Sequence, residues 1–276
     1  MGLEGGQLTE LAPGVRRLVA PNPSIMTGPG TNTYLLGSKE IAVIDPGPAL
    51  HDYIDAILQH AGAPIKWILV THTHPDHSPA AALLAQASGA QQFGREAPQG
   101  RHQDRTFEPD HILADGDTFE TGEFSLQVLH TPGHASNHLC YLHTDLNWLA
   151  TGDHIINGST VVIDPPDGSM GDYLRSLERL RTLGLEAILP GHGDVIANPD
   201  RASGRLIDHR LRREAKVVAA LRDHPAATSR ELVPFVYDDV DGKLHELAEH
   251  SLLAHLIRLE EDLRVRMERG RWQLTR

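Results

Sequence analysis

Four residues able to bind a metal fall within one short run, His72-Thr73-His74-Pro75-Asp76-His77. The two histidines of the H-x-H pair can converge on one ion. Pro75 bends the chain after them, so that Asp76 and His77 can turn toward a second ion. The chain holds 18 His in 276 residues, enough for chance pairs, but chance rarely inserts an aspartate at this spacing. Downstream, Thr131-Pro132-Gly133-His134, Thr151-Gly152-Asp153 and Pro190-Gly191-His192-Gly193 each add one ligand-type residue. The inventory is then five His and two Asp, which suits two cations sharing one bridging carboxylate. Imidazole nitrogen with carboxylate oxygen favours zinc, with manganese or iron as alternatives.

Such a cluster needs rigid elements to deliver it. The apolar run 65–70 reads as a buried strand that ends at His72. Short β-like runs at 125–129, 146–150 and 187–189 precede the other ligand-type residues, each beside a Gly or Pro that suits a tight turn. Ser78-Pro79 reads as an N-cap and first turn of a helix over 79–87, closed by Gly89. A second helix is expected over 172–183, closed by Gly184, while 91–117 has poor periodicity and reads as irregular connections.

The ordered ligand set resembles the metallo-β-lactamase superfamily, whose signature is H-x-H-x-D-H followed by single His, Asp and His ligands. The similarity runs over residues 15–196 and includes Ile41-Ala42-Val43-Ile44-Asp45-Pro46-Gly47. It implies an α/β fold, a four-layer αββα sandwich with the metals at one edge. By the same resemblance, His72, His74 and His134 hold one metal, Asp76, His77 and His192 hold the other, and Asp153 bridges them. Asp45 then stands behind the ligands and orients them, and His138 is a hydrogen-bonded support. Exported β-lactamases fit poorly: residues 1–19 carry Glu4 and Glu10 without an apolar leader core, Asp153 is present, and Cys140 lies in a strand-like run. His74 stands where flavodiiron relatives carry Glu, and the stretch from Asp153 to His192 is too short for a β-CASP nuclease insertion.

Beyond His192 the pattern turns helical. Residues 205–223 form a long amphipathic stretch, and Thr228-Ser229-Arg230-Glu231 reads as the capped start of a helix ending near Tyr237. Residues 243–262 carry Leu244, Leu247, Leu252, Leu256 and Leu259 on one apolar face, and 265–275 alternate around the turn Arg269-Gly270. Helices followed by a hairpin make a winged-helix plan. The chain thus divides into a catalytic domain, 1–204, and a helical winged-helix-like domain, 205–276. This layout, with Gly28-Pro29-Gly30-Thr31-Asn32-Thr33-Tyr34-Leu35 near the start, resembles the lactamase beta-2-like proteins. The resemblance implies an endoribonuclease acting on single-stranded RNA, the leading expectation, or a glyoxalase II-like hydrolase of a small-molecule thioester or lactone. A net charge of −12 speaks against a strong polyanion binder. Arg264, Arg266, Arg269, Arg271 and Arg276 gather at the hairpin, but Glu246, Glu249, Glu260, Glu261 and Asp262 precede them, so this module is expected to pack against or lid the site.

Two cations about 3.5–4 Å apart would lower the pKa of a shared water, whose hydroxide attacks a carbonyl carbon or a phosphorus. Asp76 is the catalytic candidate, able to orient that water or take its proton. His154 and Tyr173 are candidates for the leaving-group acid, although an exposed turn and helix-start packing are their plainer readings. A persulfide dioxygenase-like oxidoreductase with one iron is a competing chemistry, and a non-catalytic binding protein is a third. A single cysteine excludes an internal disulfide, and with no transmembrane run or leader the expected location is cytoplasmic.

Overall fold

Short inner strands with both faces buried carry the architecture, seen here in a computed structural model that describes residues 2–275. One sheet runs in the order β1 (Leu8–Ala12), β2 (Val15–Val19), β3 (Asn32–Leu36), β4 (Ile41–Ile44), β5 (Ile65–Leu69), β6 (Gln91–Gly94) and β7 (His111–Ile112). Its first four strands are antiparallel, and β4 to β7 are parallel. The parallel steps from β4 to β5 and from β5 to β6 cross over through α1 (His51–Ala61) and α2 (Ala80–Ser88). A second sheet is built of β8 (Thr118–Glu120), β9 (Ser125–His130), β10 (Leu139–His143), β11 (Trp148–Gly152) and β12 (Ala187–Pro190). Its spatial order is β12-β11-β10-β9-β8, with only β11 and β12 parallel.

The two-residue period of a strand sorts the core. Leu35, Ile41 and Val43 pack with Tyr53, Ile57 and Leu84 of the helices, while Tyr34, Leu36, Ala42 and Ile44 meet Leu126, Val128, Leu139 and Tyr141 of the second sheet. These two sheets and two helices belong to one compact unit, comprising the chain up to Thr131, Asn137–Thr160 and Gly184–Pro199. The other unit comprises Pro132–Ser136, Val161–Leu183 and the chain from Asp200 onward.

The second unit contains α3 (Met170–Arg181), α4 (Pro199–Asp223) but for its first residue, α5 (Ser229–Val236), α6 (His245–Glu261) and the hairpin β13 (Val265–Glu268) and β14 (Arg271–Leu274). Leu221, Leu232, Val236, Leu252, Leu256, Leu259 and Trp272 form its apolar core. The capping box foreseen at α5 is present: the Glu231 N–H donates to Thr228 Oγ1 at 3.2 Å, and the Thr228 N–H to Glu231 Oε2 at 2.9 Å. Such caps contribute about 1 kcal/mol. Arg269 and Gly270 have φ of 50° and 78°, as a tight two-residue hairpin turn requires. The result is a mixed α/β sandwich, as the family resemblance implied, with the C-terminal winged helix that the pattern of helices and hairpin suggested.

Several boundaries differ from expectation. α2 begins at Ala80, and Ser78 does not cap it, because its hydroxyl donates instead to Asp104 Oδ2 at 2.6 Å. α3 begins at Met170 rather than 172, since Ser169 supplies the cap, and it ends at Arg181. α4 begins at Pro199 rather than 205. β6 and β7 arise inside 91–117, where no element was assigned: Gln91 and Gln92 carry no apolar alternation, and both residues of β7 are exposed. Arg276 lies outside the described residues. No helix among the described residues is long and apolar enough to cross a membrane.

Candidate metal centre

Strand ends of both sheets supply the candidate residues of the first unit. Asp45 follows β4, Thr71 to His77 follow β5, Asp153 follows β11 and His192 follows β12. Backbone bonds lock these turns: Asp45 N–H donates to Leu69 at 2.9 Å, Leu139 N–H to Thr71 at 2.7 Å, and Gly191 N–H to Gly152 at 2.8 Å. The chain passes so close at Gly191 that a Cβ would lie 2.8 Å from Asp153 Oδ1, which explains glycine beside a candidate ligand.

Hydrogen bonds behind the rings decide which nitrogen each presents. Asp45 accepts the Thr71 N–H at Oδ1 and the Thr71 hydroxyl at Oδ2, both at 2.7 Å, and Oδ2 also lies 2.9 Å from His77 Nδ1. With its proton committed to Asp45, the Thr71 hydroxyl can only accept from His72 Nδ1, 3.0 Å away. The Gly30 carbonyl lies 3.2 Å from His192 Nδ1. Carboxylates and carbonyls only accept, so neutral His72, His77 and His192 carry their proton on Nδ1 and offer Nε2 as the ligand atom.

Those Nε2 atoms meet the carboxylates. His77 Nε2 is 3.3 Å from both Asp76 Oδ2 and Asp153 Oδ1, and His192 Nε2 is 3.2 Å from the same two oxygens. His77 Nε2 is buried and makes these contacts without hydrogen-bond alignment. His72 Nε2 faces His74 Nδ1 at 3.0 Å, a pair of ring nitrogens that needs a proton or a cation between them. The ligand atoms of His72, His77 and Asp153 lie within 4.8 Å of one another, as do those of Asp76, His77 and His192. Two overlapping nitrogen and oxygen sets fit divalent cations by donor type and by spacing.

The charge balance makes the same point. Burial pushes the Asp76 and Asp153 carboxyls up, but His77 and His192 outweigh it and hold both well below the usual carboxylate range. Burial lowers His192, yet Asp153 and Asp76 raise it to about 10. Partly buried carboxylates thus demand positive charge here, which protonated imidazoles supply alone and a cation supplies in their place.

His138 is fully buried, with Nδ1 3.1 Å from Thr131 Oγ1 and its ring stacked on His72 at 4.9 Å between centroids. His154 is not the exposed turn residue expected. The turn that follows β11 closes through His154 N–H to the Thr151 carbonyl and carries the ring inside, at 0% exposure. Tyr173 is equally buried at the start of α3. His134 belongs to the second unit, where its Nδ1 donates to the Val162 carbonyl at 2.8 Å and its Nε2 is the atom suited to a metal. Thr71, Asn22 and Thr31 were not singled out from sequence. Thr31 did stand in a quoted run, Gly28 to Leu35, and a polar Thr-Asn-Thr leading into an apolar strand was the available signal.

Comparison with known proteins agrees with this geometry. A family described as the metallo-beta-lactamase superfamily matches residues 26–192, and a beta-lactamase associated winged helix domain matches 228–272. A protein of Drosophila melanogaster named Beta-lactamase-like protein 2 homolog is 32% identical over 95% of this chain and 93% of its own. An Atrochrysone carboxyl ACP thioesterase of Aspergillus chevalieri is 32% identical over 94% of this chain and 84% of its own. Among solved structures, a metallo-beta-lactamase family protein from Thermus thermophilus aligns with a TM-score of 0.81 at 25% identity, covering 96% of this chain and 100% of that one. The chain belongs to the metallo-β-lactamase superfamily, carries the winged-helix domain associated with it, and is a metal-dependent hydrolase.

Proposed function

We propose that the chain hydrolyses a carboxylic thioester with two divalent cations, zinc by donor type, held by His72, His74 and His134 and by Asp76, His77 and His192, with Asp153 shared. Bound there, the cations would lower the pKa of water and stabilise negative charge on the substrate oxygen. Asp76, a quarter exposed where its imidazole partners are buried, orients the water and receives its proton. Asp45 and the Gly30 carbonyl keep His77 and His192 in the tautomer that ligates.

The observation that carries the thioester reading concerns the leaving group. His154 and Tyr173, the two candidate acids, are both fully buried. A thiol, with a pKa of about 8.5, leaves as a thiolate without an acid, which the alkoxide of an RNA strand does far less readily. Relatives named as thioesterases agree with this choice. The test is a panel of acyl thioesters, lactones and a fluorogenic single-stranded RNA, run beside metal analysis and an Asp76→Ala control. Thioester hydrolysis that Asp76→Ala abolishes is expected. RNA cleavage abolished by the same change would move the substrate to a phosphodiester, and one iron per chain with oxygen uptake would move the chemistry to oxidation.

A further inference from the structure

Residues 30–32 supply no ligand, yet they are bonded to two of the proposed ligands and to the turn that carries one. Thr31 is fully buried, and its Oγ1 donates to Asp76 Oδ2 at 3.2 Å. The direction of that bond is set from behind. Thr31 N–H donates to Asn22 Oδ1 at 2.9 Å, so the Asn22 amide nitrogen faces the hydroxyl and donates to it at 3.0 Å. The hydroxyl proton is left for Asp76. One residue earlier, the Gly30 carbonyl accepts from His192 Nδ1, and one residue later Asn32 holds the turn that carries His192. Asn32 N–H donates to Gly191, and its Nδ2 to Pro190 and Gly193, at 2.8, 2.9 and 2.8 Å. Gly30 has φ of 147°, and a Cβ would lie 1.9 Å from the Ala20 carbonyl oxygen, so only glycine lets the strap run this close. Asp76 Oδ2, the oxygen Thr31 touches, is also the one nearest the Nε2 atoms of His77 and His192.

We infer that Thr31, backed by Asn22, is a positioning residue: it fixes the rotation of the Asp76 carboxylate, holding Oδ2 toward the set formed with His77 and His192 and keeping Oδ1 for the proton. The role rests on those three residues being metal ligands. It acts on one cation of the pair, because its bond reaches Asp76 and not His72 or His74.

Zinc titration of the chelator-stripped full chain against a chromophoric chelator separates the possibilities, using the parent, Thr31→Val and Thr31→Ser. The valine keeps the shape and removes the hydroxyl; the serine keeps the hydroxyl. The parent is expected to take about two equivalents. Thr31→Val should bind one as the parent does and the other about 10–100-fold more weakly, the range typical of supports behind a ligand. Thr31→Ser should return to parental affinity, and metal-free Thr31→Val should still unfold in one cooperative transition, below the parent because Asn22 Nδ2 loses its acceptor. Parental affinity for both cations in Thr31→Val overturns the inference, as does a Thr31→Ser as impaired as Thr31→Val. A parent that takes up no zinc refutes the ligand assignment itself, a failure distinct from a parent that binds two while Thr31→Val is unaffected.

Discussion

Asp45 shows how much one buried residue can control. It is 2% exposed, has φ of 49°, and its carboxylate takes three donors, two from Thr71 and one from His77 Nδ1. Asp45→Asn is the informative change, because asparagine tolerates the left-handed region as aspartate does and fills the same space. What it loses is the charge, and it sets an amide N–H against groups that are themselves donors. Zinc affinity or turnover should fall about 10–100-fold with the far-ultraviolet circular dichroism unchanged. Unchanged titration and turnover would remove Asp45 from the centre. At this scale the ligand-type residues were legible because local motifs announce them, while Thr31 was not. Its partner Asp76 is 45 residues away, and a threonine beside a strand draws no notice.

Elements were legible wherever their signals are local. The capping box of α5 and the Arg269-Gly270 turn need only neighbouring residues, and both formed as read. Ser78 looked like an equally good cap, but a distant residue, Asp104, takes its hydroxyl; β6 and β7 depend on pairing that no periodicity advertises. α4 and α6 carry a further property invisible to pattern, which is their response to acid. Burial and the charges of Arg210, Arg213 and Arg212 push His209 down to about 4, and burial also lowers His255. A histidine depressed in the folded state binds its proton first when unfolded. Its stabilising contribution is therefore whole above about pH 6.5 and is lost as the pH falls toward 4. The melting temperature of metal-free protein should drop over that window, and less steeply in His209→Gln. Parallel curves for the two proteins would show that His209 is not part of the acid response.

Over the whole molecule the decisive quantity is where charge is left uncompensated. The net value of −12 was readable from composition, but the pairing of Arg264, Arg266 and Arg271 was not, since two of their three partners lie on other elements. Arg264 meets Glu214 at 3.1 Å, Arg271 meets Glu231 at 2.6 Å, and Arg266 meets Glu268 across 3.6 Å. A cation paired within a few ångströms contributes little field beyond a Debye length of about 8 Å, and binding a phosphate would mean breaking the pair. Polyanion binding instead draws on unpaired Lys and Arg, and a protein making several phosphate contacts loses about 10³–10⁵ in affinity between 50 and 200 mM salt. Turnover of an uncharged acyl N-acetylcysteamine thioester should then keep a nearly constant KM across that range, and single-stranded RNA should show no retention that salt abolishes. Tight RNA binding at low salt with a steep salt slope would instead mean that these pairs open on contact with phosphate. It would also give the winged-helix domain, whose residues 205–276 hold 14 Lys and Arg against 13 Asp and Glu, a part in substrate capture.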